Sequence, residues 1–357
     1  NHAILGDHAR RRLRENNIVL RTSEDRQREE EFLFRLATSR ATESLILSRP
    51  LRDGSGADMP PSSFLEGEAA EAAPPARPRP LFRPATPRKP AIAPGPGRAA
   101  LARRTSTVSP SAIESFLQCP FQFFAGRVLR LRVPKPPPEE RLNPLLEGSI
   151  LHDVLAALPG APLLAESVFA QVFEEHCRRE GVPAGWRKEA VRLEMLRGLR
   201  AFLEDVEHAL KAGALVEQKF ELPLGDDQAI RGRIDRIDID DAGAALVIDY
   251  KYTTAGNLAD LLRAHRDGRK VQAGLYAMAV RELWRHKVSR VRFLALRGAA
   301  GWRGWEHDEI DELVESAVEL TRGAVKDIRA GRIAPEPADP DKCAWCDFRD
   351  LCRVEVR

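Results

Sequence analysis

Twenty residues, Gly232 to Lys251, read GRIDRIDIDDAGAALVIDYK and constrain the fold more tightly than any other stretch. Two β-like runs flank a turn at Asp240-Asp241-Ala242-Gly243, the pattern of an antiparallel hairpin. Side chains alternate faces along a strand, so Asp249 and Lys251 share one face, about 7 Å apart. Leu246, Ile248 and Tyr250 take the other face. Pairing the two strands brings Asp235 alongside Asp249. Two carboxylates with an ammonium at their rim suit a hard divalent cation, a phosphodiester and an attacking water.

The flanking segments offer further groups for the same pocket. Leu215 to Leu222 alternates as a strand, with Val216, Phe220 and Leu222 on one face and Glu217, Lys219 and Glu221 on the other. Glu147 to Leu158 reads as an amphipathic helix carrying His152. Lys270 to Trp284 reads as a helix on which Gln272 and Tyr276 share a face at i, i+4. Val291 to Leu296 is expected as a strand and Asp308 to Ala330 as a helix. His152, Glu217, Asp235 and Asp249 are hard or borderline ligands for Mg²⁺ or Mn²⁺. Lys251 can orient or deprotonate water and offset charge on a phosphate. Glu221 shares the face of Glu217, so either can be the site carboxylate. A lone helix His is otherwise an ordinary boundary residue.

The remaining chain divides by composition. Residues 1 to 65 suggest a unit of their own: a helix over Arg26 to Ala41 with an apolar stripe of Phe32, Leu33, Leu36 and Ala37, then a buried strand over Ser44 to Ser48. Residues 66 to 105 are rich in Pro, Ala and Arg and read as an extended interdomain linker. A second domain opens near Thr107. Ser109-Pro110 starts a helix, with Ser111 and Glu114 as a capping box, that runs to Cys119. Phe121, Phe123 and Phe124 read as core; base stacking beside Arg127, Arg130 and Arg132 is the alternative. Residues 165 to 212 read as helical, with Cys177 as a free thiol.

Charge and cysteine usage bound the partners. A net charge of +3 over 357 residues leaves DNA contact to local basic patches. No run of about 18 apolar residues occurs, so no membrane span is expected. Five cysteines in so long a chain point to a reducing cytoplasm and to metal binding. Cys343-x₂-Cys346-x₅-Cys352 is a metal knuckle by spacing, and Cys119 supplies a fourth thiolate. Four thiolates satisfy either a tetrahedral zinc or a 4Fe-4S cluster. These residues contain no GxxxxGK[ST] phosphate loop, so no ATP hydrolysis is expected from them.

His152, then Gly232-Arg-Ile-Asp235-Arg236, Asp249-Tyr250-Lys251 and Gln272-Ala-Gly-Leu-Tyr276 occur in an order that resembles the RecB-type branch of the PD-(D/E)XK nuclease superfamily. The resemblance spans roughly residues 107 to 357. It implies an α/β restriction-endonuclease-like core, a mixed sheet flanked by helices. Asp235 and Asp249 would hold the metal, with His152 and Glu217 completing its shell. Lys251 would serve the hydrolytic water, and Gln272 and Tyr276 would support the site or the DNA. The one-plus-three cysteines resemble the iron–sulfur staple of AddB-type nucleases, which implies a structural 4Fe-4S cluster. The helix followed by Thr-Ser-Arg-Ala in residues 1 to 65 resembles the last conserved motif of UvrD-type superfamily 1 helicases, a helicase-domain remnant. There Arg40 matches the arginine that reaches the γ-phosphate of ATP; a solvated helix-end arginine is the plainer reading. Taken together the order resembles the C-terminal part of AddB-type helicase–nuclease subunits. That implies a DNA substrate, as a single strand or duplex end, and an AddA-like partner. A stand-alone RecB-type nuclease and a non-catalytic DNA-end-binding scaffold are the alternatives.

Overall fold

The computed structural model describes residues 5–53, 57–65, 91–158, 162–204, 213–225, 228–298 and 301–352, in two units divided between Pro84 and Ala85. The first unit carries α1 (Asp7–Glu15) and α2 (Ser23–Thr38). Thr22 and Asp25 form a capping box at the start of α2, and Asp7 accepts from Ser23 N. Two expectations fail here. The run Ser44 to Ser48 is irregular and exposed, with Ile46 at 90%. The stripe of Phe32, Leu33 and Leu36 also faces solvent, Phe32 at 63%. Among the described residues of this unit no strand pairs with the run and no buried apolar side chain offers it a core. Arg40 lies exposed just beyond α2.

In the second unit the elements follow in the order α3 (Pro96–Arg104), β1 (Thr107–Val108), α4 (Pro110–Gln118), α5 (Pro120–Phe123), α6 (Pro144–Ala157), α7 (Ala165–Glu180), α8 (Trp186–Leu203), β2 (Leu215–Gly225), β3 (Gln228–Ile239), β4 (Ala244–Lys251), α9 (Leu258–Arg266), α10 (Gln272–Ala279), β5 (Lys287–Ala295), β6 (Gly301–Glu306), α11 (Glu309–Arg329) and α12 (Arg349–Cys352). The helix α3 corrects the linker reading at its C-terminal end. Leu101 is buried in the main core, and Ile92 N donates to Gly331 O, so residues from 91 onward belong to the folded unit. Residues 66 to 90 lie outside the described residues. The apolar face of α3 finds a partner only across the fold, which composition does not reveal.

The strands form one mixed sheet in the order β1-β3-β4-β5-β6, with β2 on the other edge of β3. The pairs β2–β3, β3–β4 and β5–β6 are antiparallel, and β1–β3 and β4–β5 are parallel. Alternation along β4 feeds two cores. Ala245 and Val247 pack with α4, α9, α10 and α11, whereas Leu246, Ile248 and Tyr250 pack with α6, α7 and α8. On α6 the residues Ile150, Leu151, Val154 and Leu155 are all buried. Each such burial contributes about 1.5–3 kcal/mol, so packing sets the orientation of α6 and of the half-buried His152 it carries.

Two glycines are required by close approach. A Cβ on Gly232 would strike the Phe220 ring, and Phe220 uses that space to meet Tyr276 edge-to-face. A Cβ on Gly304 would strike the Val291 carbonyl. This second glycine lies in β6, a strand the sequence pattern did not reveal because two glycines interrupt its Trp-rich alternation.

Candidate active site

A cavity of about 620 Å³ opens where the end of β4 meets α6 and α10, lined in part by His152, Asp153, Arg233, Asp235, Asp249, Lys251, Tyr252, Gln272 and Tyr276. Strand register brings the acids together. Val216 pairs with Arg236 and Gln218 with Ile234, so Glu217 stands opposite Asp235. Arg236 pairs with Ile248, so Asp249 continues the register opposite Asp235. One edge of β3 meets β1 only at Ala229 and Ile230, and meets β4 only from Arg236 onward. Asp235 therefore sits in a fork, and its Oδ2 accepts from Tyr250 N at 2.8 Å where a ladder bond would otherwise lie.

His152 reaches the same fork from α6. Its Nε2 lies 3.1 Å from Tyr250 O and its Nδ1 3.4 Å from Asp235 Oδ1. With Nε2–H donating to the carbonyl, Nδ1 is the ring nitrogen left facing the acids, the one a metal would take once its proton is lost. One ligand atom each from His152, Glu217 and Asp235 lies within 4.8 Å of the others. Glu217 has φ of +52°, a local departure from strand geometry. Glu221, the alternative, is exposed and paired with Arg231 at 2.7 Å. Of the two, Glu217 is the carboxylate in the cluster.

Asp249 adjoins this trio without joining it: its Oδ2 lies 2.5 Å from Lys251 Nζ. Lys251 also donates to Gln272 Oε1 at 2.8 Å, and Gln272 Nε2 meets Tyr276 OH at 2.7 Å. The ammonium stands 5.4 Å from the Phe293 ring centroid, a cation–π contact. The i, i+4 pair read from the sequence thus acts in line, with Tyr276 holding Gln272 and Gln272 holding Lys251.

Burial pushes the Asp249 carboxyl up, to about 6; Lys251 opposes this and Asp235 adds to it. Burial pulls the Lys251 ammonium down, but Asp249 more than offsets it and the net shift is upward. Lys251 therefore stays protonated, while burial and a second acid outweigh its pull on Asp249. For His152, burial lowers and the hydrogen bond and charge of Asp235 raise; the net shift is upward. Burial also lifts Glu217, against the pull of Arg233.

Two supporting groups, Arg236 and Glu114, take roles that the sequence reading did not give them. Arg236 is fully buried and forms a two-pronged pair with Asp238 at 2.7 and 2.6 Å, against the Tyr250 hydroxyl. The peptide of Tyr250 in turn meets both Asp235 and His152. Alternating charges in Asp235-Arg-Ile-Asp238 on a buried strand were the available signal. Glu114 does not form the expected capping box. Ser109 caps α4 through Ala112 N, and the buried Glu114 carboxylate instead accepts from Val271 N and Gln272 N. The phenylalanine cluster went as expected for Phe123, which is buried against Phe116.

The cysteines form a second place of interest. Cys119, Cys343, Cys346 and Cys352 line a cavity of about 280 Å³. Cys119 ends α4, and Ala338 N donating to Gln118 O ties that end to the C-terminal segment. Burial and then the three neighbouring thiols push Cys343 up. Among the described residues, no three of these sulfurs lie mutually within 4.8 Å.

The chain matches the family model of the PD-(D/E)XK nuclease superfamily over residues 107–353. No curated protein matches it in sequence. A solved structure named "Putative exonuclease" from Eubacterium rectale is 14% identical with a TM-score of 0.43, covering 71% of this chain and 89% of its own. The structure of SSO0001 is 15% identical with a TM-score of 0.34, covering 72% and 95%.

Proposed function

Because this chain belongs to the PD-(D/E)XK nuclease superfamily, we propose that it is a Mg²⁺- or Mn²⁺-dependent deoxyribonuclease that hydrolyses phosphodiesters of single-stranded DNA. The observation that carries this reading is the cluster of His152, Glu217 and Asp235 beside the Asp249–Lys251 pair. Glu217 Oε2 and Asp249 Oδ2 are buried and answered only by ion pairs, with Arg233 and Lys251 at 2.5 Å each. Such oxygens, with an imidazole Nδ1 already oriented, fit a hard divalent cation. His152, Glu217, Asp235 and Asp249 would hold it. When bound, the ion polarises a phosphate oxygen and makes water more acidic.

The protein's own groups have separate tasks. Lys251, held protonated, donates to a water or phosphate oxygen and places positive charge where negative charge develops. Gln272 aims that ammonium, and Tyr276 holds the amide of Gln272. Arg233, at the cavity wall and 53% exposed, is free to leave Glu217 for a phosphate.

The rest of the assignment is broader. We read the four cysteines as ligands of a 4Fe-4S staple; the support is their one-plus-three order along the chain and the cavity that all four line. With residues 1 to 65 as a helicase-domain remnant, the chain would act as an AddB-like subunit beside an AddA-like helicase–nuclease in cytoplasmic double-strand-break repair. The support is the order of motifs along the chain.

The test is degradation of a labelled single-stranded oligonucleotide with Mg²⁺, Mn²⁺ or EDTA. Wild type is expected to cleave only with metal, and Asp249→Ala not at all. Full cleavage by Asp249→Ala sinks the site assignment, and binding without cleavage by wild type favours the scaffold reading.

A further inference from the structure

Glu114 is a buried carboxylate that no step of the proposed hydrolysis employs, yet its hydrogen bonds end on the helix that aims Lys251. It lies on α4, 7% exposed, and its Oε1 accepts from Val271 N and Gln272 N at 3.0 Å each. Its Oε2 takes the Lys270 ammonium at 2.6 Å. The N-terminus of α10 has no side-chain cap of its own, since Val271 stands at that position. The first N–H groups of a helix lack intrahelical partners, and a carboxylate there also meets the positive end of the helix dipole. Glu114 therefore caps α10 from another helix, 157 residues away in sequence.

The second of the two capped amides belongs to Gln272, whose side chain receives Lys251 Nζ. We propose that Glu114 is a positioning residue for the hydrolytic site: it fixes the Gln272 backbone, and through it the Lys251 ammonium. The proposal rests on the nuclease reading above. It also gives α4 a part in the site, since the same helix ends at Cys119.

The charge itself is not what the amides require; a neutral acceptor at the same place suffices for them. Glu114→Gln keeps a carbonyl oxygen there, whereas Glu114→Ala leaves the Val271 and Gln272 N–H groups without that acceptor. The experiment uses the whole chain, with wild type and both variants, in cleavage of a single-stranded oligonucleotide under saturating Mg²⁺. Glu114→Ala is expected to lower kcat by about 100-fold, the cost of a misplaced group of about 1 Å, with KM within threefold of wild type. Glu114→Gln is expected to recover most of that loss. Hydrogen exchange supplies the readout that needs no activity: the Val271 and Gln272 amides lose protection in Glu114→Ala and keep it in Glu114→Gln, while the sheet amides stay protected in both. Wild-type kcat in Glu114→Ala overturns the proposal. So does equal impairment of both variants with protection lost throughout, which is plain unfolding. Lack of cleavage by wild type itself refutes the nuclease reading, and exchange at the two amides then decides the capping separately.

Discussion

Replacing Asp249 by Asn should make the metal-free protein more stable while removing its activity. The carboxyl is 2% exposed and is held at about 6 instead of its ordinary 3.8, even with Lys251 beside it. The ionised form is thus disfavoured in the folded state by about 3 kcal/mol at pH 7.5. The sign follows from linkage. A carboxyl whose folded pKa is raised binds more protons folded than unfolded between about 4 and 6, so its contribution is present below 3.8 and lost as pH rises through about 6. Asn carries no charge to desolvate, and Lys251 retains Gln272 and the charge of Asp235. The assay is urea unfolding in EDTA at several pH values, followed by tryptophan fluorescence. All five tryptophans lie after Pro84, so the signal reports the second unit. The stability of Asp249→Asn over wild type should grow from near zero at pH 4 to about 3 kcal/mol at pH 7.5. Added Mg²⁺ should close the gap, because only wild type binds it well. A variant less stable than wild type at pH 7.5 in EDTA, or a gap that does not change with pH, would refute the reasoning.

Two further outcomes follow from packing and from the thiols. Gly232→Ala puts a methyl group into the Phe220 ring, so the variant should lose about 1–3 kcal/mol in the same urea assay. Restoration of wild-type stability by the double variant Gly232→Ala/Phe220→Leu would confirm the clash as the cause, and an unchanged single variant would refute it. Cys343→Ser removes one of the four thiols at the second cavity. Iron and acid-labile sulfide measured on protein purified without oxygen should fall from about four each per chain to well below one, with a lower thermal midpoint. Wild-type protein that carries one zinc per chain and no iron would overturn the cluster assignment.

Much of the site was legible because its signals are local. The turn after Ile239, the shared face of Asp249 and Lys251, and the i, i+4 pair of Gln272 and Tyr276 follow from the two- and 3.6-residue periods of strands and helices. Alternation in β4 likewise put Leu246, Ile248 and Tyr250 on the face opposite Asp249, where they pack with α6, α7 and α8. Local composition misled where apolar residues had no partner, as in Ser44 to Ser48, or where a helix found one far away, as in Pro96–Arg104.

Tertiary structure alone decided the rest. Glu217 and Glu221 are equivalent in any reading of β2, and only pairing with β3 puts the first opposite Asp235 and the second beside Arg231. Glu114 looked like a helix cap for its own helix, and folding made it the cap of another. Both outcomes depend on strand register and on hydrogen bonds between segments far apart in sequence. Periodicity records which face a residue takes, but not what the fold later sets against that face.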